Sequence, residues 1–231
     1  MAAARGELVL HHLSESRSLT LLWLLEELGA AAPYTVKPYL RVGGRAPPEL
    51  KAVHPLGKSP VITDGGVCVA ESGNIVRHLC ETRDEARALQ PAADDAAGRA
   101  AHSFILHYVE GSIMSPVMLD FILRTAVNAT PWLMRGATRA IRNAIYANFA
   151  GPELDRHAAF LEGVLAKSEY ITGARFTAAD THLLFAAERL LEGDPARAAA
   201  SPKLAAWVKK VKQRPAYLRA AARDKELEMV R

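Results

Sequence analysis

The N-terminal third of the chain alternates short apolar runs with amphipathic stretches. Glu7–Leu13 and Tyr34–Tyr39 are rich in apolar and β-forming residues, which predicts two short strands. Between them, Ser16–Leu28 repeats apolar residues at helical spacing and ends at Gly29, so we predict a helix there. The pattern is that of a strand–helix–strand unit.

A hairpin and a further helix complete this part of the chain. Pro60–Thr63 and Val67–Ala70 flank Asp64-Gly65-Gly66, and an Asp-Gly pair between apolar runs is a strong hairpin signal. A short helical pattern covers Pro48–Val53, and a longer one covers Glu71–Glu81. The predicted order is βαβαββα, which gives a small mixed sheet covered by helices.

After this region the pattern becomes helical, and no segment predicts a strand. We expect a linker at 84–95 that joins an α/β domain at 1–83 to an all-α domain at 96–231. The predicted helices of the second domain are Ala97–Val127, Pro131–Phe149, Pro152–Lys167, Ala178–Leu191 and Pro202–Lys212.

Charge changes this picture little. The net charge is +4 and the calculated pI is about 9.1, and the dense basic stretch, Lys203–Arg223, also carries regularly spaced apolar residues. This stretch predicts a helix with one solvated basic face, with an anion-attracting surface as the alternative. The basic residues do not form the concentrated patch that is typical of a nucleic-acid-binding protein, so we expect no nucleic-acid partner.

The two cysteines, Cys68 and Cys80, form neither a Cys-x-x-Cys pair nor a disulfide framework, so we expect two core thiols in a reducing compartment. We expect no metal site. No segment resembles a signal peptide or is long and apolar enough to span a bilayer. The sequence therefore predicts a soluble, cytoplasmic protein.

Three element junctions carry candidate chemistry. At the first, Ser14, Ser16 and Ser18 precede or open a helix. A hydroxyl there is commonly a helix cap, but a helix N-terminus also stabilises a thiolate, and a serine can donate a hydrogen bond to it.

At the second junction, Lys58, Ser59 and Pro60 precede a strand. A Ser-Pro bond is ordinarily trans. A cis bond would turn the backbone of Ser59 outward, where it could pair with a peptide-like ligand, and Lys58 could meet a carboxylate.

At the third junction, Glu71 and Ser72 open a helix. They could simply cap it, or they could bind an ammonium and a carboxylate. A thiol site, an extended-peptide edge and an amino-acid clamp together match the three parts of glutathione.

At these positions the chain resembles the cytosolic glutathione transferase family, of the serine type, and is similar to a fungal class with bacterial relatives. The resemblance covers nearly the whole chain. It is carried by SRS at 16–18, RAPPEL at 45–50, HPLGKSP at 54–60, AESG at 70–73 and FTAAD at 176–180.

The resemblance implies a thioredoxin-like N-terminal domain, an all-helical C-terminal domain and a homodimer. It implies that Ser16 activates the glutathione thiol, with Ser14 and Ser18 as rivals because the loop length is not fixed by the sequence. The implied glutathione-binding residues are Arg45, His54, Lys58, Ser59, Pro60 (in cis), Glu71 and Ser72.

Two further positions qualify the resemblance. Thr177 and Asp180 match the family's helix-capping motif, whose role is in folding. Many serine-type relatives carry an arginine four residues beyond the serine, where this chain has Thr20, so an arginine-assisted step is not expected.

The implied function is conjugation of the glutathione thiolate to hydrophobic electrophiles, a detoxification reaction, with peroxides as additional targets. The electrophile would lie between the domains, against the helix that starts at Ala97, where Tyr108 and Ser112 are one turn apart. The alternative is a non-catalytic module with this fold that binds ligands or partners.

Overall fold

A four-stranded sheet organises the N-terminal part of the chain. The computed structural model describes residues 6–192 and 194–229, with only the backbone of Glu228. The strands are β1 (Leu8–Leu13), β2 (Thr35–Tyr39), β3 (Val61–Asp64) and β4 (Val67–Ala70). Their spatial order is β2-β1-β3-β4, with β1 parallel to β2 and both other pairs antiparallel. The predicted mixed sheet is confirmed.

The connections follow from local chemistry. Helix α1 (Ser18–Leu28) links the parallel pair, and α2 (Leu50–Val53) precedes β3. Gly65 and Gly66 join β3 to β4 with φ of 57° and 88°, the left-handed backbone that a two-residue hairpin turn requires and that glycine adopts without strain. Helix α3 (Ser72–Arg83) completes the βαβαββα order of a thioredoxin-like domain.

Beyond Ala70, the described residues form helices and loops, with one isolated bridge between Tyr170 and Gly173. None of these helices is long and apolar enough to cross a membrane. The helices are α4 (Ala96–Tyr108), α5 (Met114–Ala129), α6 (Arg135–Ile145), α7 (Gly151–Leu165), α8 (Ala178–Leu191), α9 (Pro195–Ala200), α10 (Pro202–Val211) and α11 (Pro215–Met229).

Helix α1 lies at the centre of the molecule, in contact with β1, α3, α8 and α11. Trp23 of α1 is fully buried, and its ring packs against those of Phe176 (5.5 Å between centroids) and Tyr217 (5.3 Å). Each large apolar side chain that is fully buried contributes about 1.5–3 kcal/mol. Because α1 is covered by both parts of the chain, its N-terminus is held at the boundary between sheet and helical layer.

The predicted capping box at the start of α8 is confirmed. Thr177 and Asp180 make the reciprocal side-chain-to-backbone bonds of that motif. The Asp180 carboxylate is fully buried and also accepts hydrogen bonds from the Ile171 N–H (3.1 Å) and from Nε1 of Trp207 (3.2 Å). The cap therefore joins α8 to the preceding loop and to α10.

Several predicted helix bounds were wrong. The pattern at Ala97–Val127 is divided by a π-helical turn at Val109–Ile113, and a second such turn, Tyr146–Ala150, separates α6 from α7. Helix α6 starts at Arg135 rather than Pro131, because Thr130 donates its hydroxyl back to the Ala126 carbonyl (2.7 Å) instead of capping a new helix.

The basic stretch is two helices rather than one. Helix α10 ends at Val211, and α11 starts at Pro215, which supplies no N–H for a continuous helix. The short helix α9 was not predicted at all; its signal was the Asp194-Pro195 start, where Asp194 accepts from the N–H groups of Ala196 and Arg197.

The two thiols differ in environment. Cys80 is buried, as predicted, and burial raises the pKa of its thiol to about 12. The prediction of a core position for Cys68 was wrong: β4 is an edge strand, and Cys68 and Val67 are both exposed. The limits of the two domains stay a prediction, although α3 ends at Arg83 and α4 begins at Ala96.

Candidate active site

The strand pairing brings the three candidate junctions to one edge of the sheet. His11 of β1 is paired with Val61 of β3, and Val61 is paired with Ala70 of β4. Because β1 and β4 both run antiparallel to β3, the end of β1, the start of β3 and the end of β4 meet at that edge. The loop after β1, the Ser59-Pro60 pair and the start of α3 are therefore neighbours.

Ser16 lies in the loop between β1 and α1 and is half-buried. Its Oγ donates to the Leu13 carbonyl (2.8 Å), lies 2.9 Å from Oγ of Ser18, and accepts from the Ser18 N–H (3.2 Å). These contacts fix the hydroxyl beside the first turn of α1, where unpaired backbone N–H groups give a partial positive charge.

The rival serines are placed differently. Ser18 is fully buried, with its Oγ between the backbone of Leu13 and Nδ1 of His12. Ser14 is half-buried, and its backbone bonds to the Tyr39 carbonyl and to the Arg41 side chain. Of the three serines, Ser16 lines the large cavity between sheet and helices.

Ser59 lines the same cavity as Ser16. The Ser59-Pro60 peptide bond is cis, as the resemblance implies, and the Ser59 hydroxyl donates to the His11 carbonyl (3.2 Å). Among the described residues, neither the N–H nor the C=O of Ser59 has a backbone partner. The backbone of Ser59 is thus available to an extended ligand.

The start of α3 has two unusual features. Glu71 has φ of 70°, a left-handed conformation that is uncommon outside glycine and concentrates at functional sites. Ser72 is buried, and its Oγ has no hydrogen-bond partner among the described residues. A buried hydroxyl without a partner at a helix N-terminus fits a ligand carboxylate, which would accept its hydrogen bond.

The cavity has a volume of about 990 Å³ and combines polar and apolar walls. Its polar part includes Ser16, Ser59 and Arg41, and it continues along α5 and α8 towards α11. The apolar wall on α5 is formed by Met114, Val117, Met118 and Phe121. The cavity therefore has a polar region beside an apolar wall, as small-molecule sites commonly do.

Other predicted residues lie apart from this cavity lining. Tyr108 is buried, its hydroxyl bonds to Nδ1 of His157 (2.7 Å), and burial raises its pKa, while Ser112 is exposed on the π-helical turn. Lys58 and Arg45 are exposed and His54 is half-buried. None of these five residues lines the cavity, and neither do Pro60, Glu71 and Ser72.

Sequence reasoning missed the residues that hold the Ser16 loop. Arg41 donates to the carbonyls of Ser14 (3.1 Å), Glu15 (2.9 Å) and Gly44 (3.3 Å). Arg17 forms an ion pair with Glu110 of the helical region (2.6 Å). The contacts of Arg41 with Ser14 and Glu15 and of Arg17 with Glu110 join positions far apart in sequence, so the local pattern gave no signal for them.

No group of three or more His, Cys, Asp or Glu side chains within the described ranges is placed to hold a metal ion. The candidate site contains the hydroxyls of Ser16 and Ser59 beside the N-terminus of α1. It lies between a thioredoxin-like sheet and a helical layer, and these two features define the class of fold.

Comparisons with known proteins identify the family. Residues 8–81 match the model for the glutathione S-transferase N-terminal domain, and residues 116–215 match that for the C-terminal domain. Glutathione S-transferase 3 of Schizosaccharomyces pombe is 36% identical over 90% of this chain and 84% of its own. Glutathione S-transferase 1 of Saccharomyces cerevisiae is 31% identical over 93% of both chains.

Solved structures agree with this. A glutathione S-transferase from Actinobacillus pleuropneumoniae has 27% identity and a TM-score of 0.72 over 97% of both chains. The glutathione transferase URE2P6 of Phanerochaete chrysosporium, solved with oxidized glutathione, has 22% identity and a TM-score of 0.72 over 96% of this chain and 98% of its own. The chain belongs to the glutathione S-transferase family. It is an enzyme of that family and uses glutathione as co-substrate.

Proposed function

We propose that Ser16 activates glutathione by turning its hydroxyl hydrogen from the Leu13 carbonyl to the glutathione sulfur. Two physical effects would act together. The N-terminus of α1 favours negative charge, and the Ser16 hydroxyl stabilises the thiolate directly. The thiol proton leaves to solvent, and the sulfur remains as the nucleophile. Ser16 is preferred over Ser18 because Ser18 is fully buried, and over Ser14 because Ser16 lines the cavity.

The tripeptide would lie along the sheet edge. The free backbone of Ser59 is the partner for the cysteinyl unit, in the manner of an added strand. Glu71 and Ser72 bind the ammonium and carboxylate of the γ-glutamyl end, and the unpartnered Ser72 hydroxyl carries this assignment. Lys58, with Arg45 or His54, meets the glycine carboxylate.

The thiolate then attacks an electrophilic carbon held against the apolar wall of α5. A sulfur–carbon bond forms, and the leaving group departs with its electron pair. Met114, Val117, Met118 and Phe121 favour a hydrophobic electrophile. This wall is a stronger candidate for electrophile binding than Tyr108 and Ser112, which lie outside the cavity lining.

A peroxide oxygen is a second target for the same thiolate. The thiolate attacks one peroxide oxygen, the alcohol leaves, and a second glutathione reduces the sulfenic product to the disulfide and water. We propose a cytoplasmic homodimer as the working form. A non-catalytic binding module is the alternative function.

The observation that carries the proposal is the position of Ser16, which is fixed beside the α1 N-terminus and borders the same cavity as Ser59. Rates of aryl halide conjugation, hydroperoxide reduction and mixed-disulfide reduction test it. We expect conjugation to be reduced about 10²- to 10³-fold by Ser16→Ala, and Ser14→Ala to have little effect. Tight ligand binding without turnover in any assay would favour the binding module.

A further inference from the structure

The turn between α5 and α6 exposes three consecutive apolar side chains. Trp132, Leu133 and Met134 are 80%, 78% and 63% exposed. The turn itself is closed by a hydrogen bond from the Met134 N–H to the Pro131 carbonyl (3.0 Å). Single exposed apolar side chains are ordinary on a protein surface, whereas a contiguous group of large ones marks a surface that meets a partner.

Helix α6 continues this surface. None of its residues is buried. Met134, Ile141 and Ile145 are spaced by seven and four residues, which places them on one face, and all three are exposed. Arginines follow a similar spacing on the neighbouring face, at 135, 139 and 142. We call the turn at 132–134, the two isoleucines and the arginines at 135 and 139 the tip surface.

The positive charge of the tip surface is not compensated. Residues 121–152 include four arginines and no acidic residue. Arg142 pairs with Asp120 (3.0 Å), whereas Arg135 donates to a backbone carbonyl (3.2 Å), which carries no net charge. In the part of the chain that the structure describes, neither Arg135 nor Arg139 forms an ion pair with a carboxylate. The tip surface is therefore both apolar and cationic.

A second copy of the chain is a poor partner for this surface. In a two-fold contact centred on it, Arg135 and Arg139 would face their own copies with no carboxylate between them. The proposed homodimer would therefore use another face. An anionic bilayer complements both features, because tryptophan and aliphatic side chains enter the boundary below the headgroups while arginines pair with the negative lipids.

We propose that the tip surface attaches the protein to the face of a bilayer that contains anionic lipid, with the side chains of the turn inserted below the headgroups. This inference does not depend on the role of Ser16. It has a consequence for substrate access. Met118 and Phe121, which line the cavity, are also exposed on α5, so the cavity lies along the same helical hairpin, near a lipid phase in which hydrophobic compounds concentrate.

Trp132 is its own reporter, because the other two tryptophans, Trp23 and Trp207, are buried. The experiment adds vesicles of phosphatidylcholine, with and without a minority of phosphatidylserine, to the full chain and measures tryptophan emission and co-sedimentation. We expect the emission to shift to shorter wavelength and the protein to sediment with the anionic vesicles, and both effects to weaken at high salt.

Matched variants locate the surface. Trp132→Ala should lower the vesicle partition coefficient about tenfold and Arg139→Gln about fivefold. Leu218→Ala and Arg99→Gln remove an exposed leucine from α11 and an exposed arginine from α4, and should leave the coefficient unchanged. Trp132→Phe should keep most of the binding and lose the emission shift. Each of these side chains is exposed, so every variant should keep the wild-type Tm.

Four results would overturn the proposal. One is the absence of sedimentation with anionic vesicles. Another is sedimentation that Trp132→Ala and Arg139→Gln leave unchanged, because a different surface would then bind the lipid. Equal sedimentation with neutral and anionic vesicles would refute the selection for anionic lipid. A shift of the emission to shorter wavelength with rising protein concentration and no vesicles would show that a second copy covers the surface.

Discussion

The buried cap at Asp180 gives the largest predicted effect on stability. Replacing it with alanine leaves the N–H groups of Ile171 and Thr177 and Nε1 of Trp207 without their acceptor, all in a buried site. Each unsatisfied buried donor costs about 1–3 kcal/mol, and local rearrangement recovers part of the sum. We therefore expect Asp180→Ala to lower the free energy of unfolding by about 3–5 kcal/mol.

Thermal and urea unfolding measure this loss. For a chain of this size, a loss of about 3–5 kcal/mol corresponds to a Tm lower by roughly 6–20 °C. The matched control is Asp95→Ala, because Asp95 also caps a helix but is exposed and accepts a single hydrogen bond, from the Gly98 N–H (2.8 Å). It should cost about 1 kcal/mol. Equal losses for the two variants would refute the reasoning from burial.

Three further predictions test other parts of the structure. Burial lowers the pKa of His102 and of His182 to about 4. Between about pH 6.5 and 4 the unfolded chain therefore binds more protons than the folded protein, so the Tm should fall as the pH drops through this range. The fall should be less steep in His182→Gln. Glu71→Gly should raise stability by about 1 kcal/mol by removing the left-handed strain, yet weaken glutathione binding in calorimetry; tighter binding would contradict its proposed role. Arg214→Ala removes a two-bond pair with Glu27 (2.6 and 2.9 Å) that joins the turn before α11 to α1. It should lower the free energy of unfolding by about 1–3 kcal/mol in urea, and an unchanged urea midpoint would contradict a stabilising role for the pair.

Local sequence signals predicted the sheet well and the helical part less well. The Gly65-Gly66 turn and the apolar strands have strong short-range causes, whereas the spatial order of the strands is seen only in the fold. Helix α6 was misplaced because Thr130-Pro131 is a good start signal in isolation, whereas the Thr130 hydroxyl bonds back to α5. The same hydroxyl can bond back to the preceding helix or cap the following one, so the local signal was ambiguous.

The candidate site, like the fold, could be predicted from the sequence only in part. The three junctions carried motifs in continuous sequence and could be found by reading along the chain. Arg41 holds the Ser16 loop from the segment after β2, and His12 contacts Ser18 from β1. The exposure of Cys68 also depends on β4 being an edge strand. Pairings of this kind appear only when the fold is known.

The central claim is that Ser16 and the α1 N-terminus together ionise bound glutathione. Its most direct test is the ultraviolet thiolate absorbance of bound glutathione against pH, in the wild type and in Ser16→Ala. We predict ionisation well below the ~8.5 of a free thiol in the wild type, and a pKa higher by about 1–2 pH units in the variant. An equally low pKa in both would contradict the role of Ser16, and bound glutathione that never ionises would contradict the proposed mechanism.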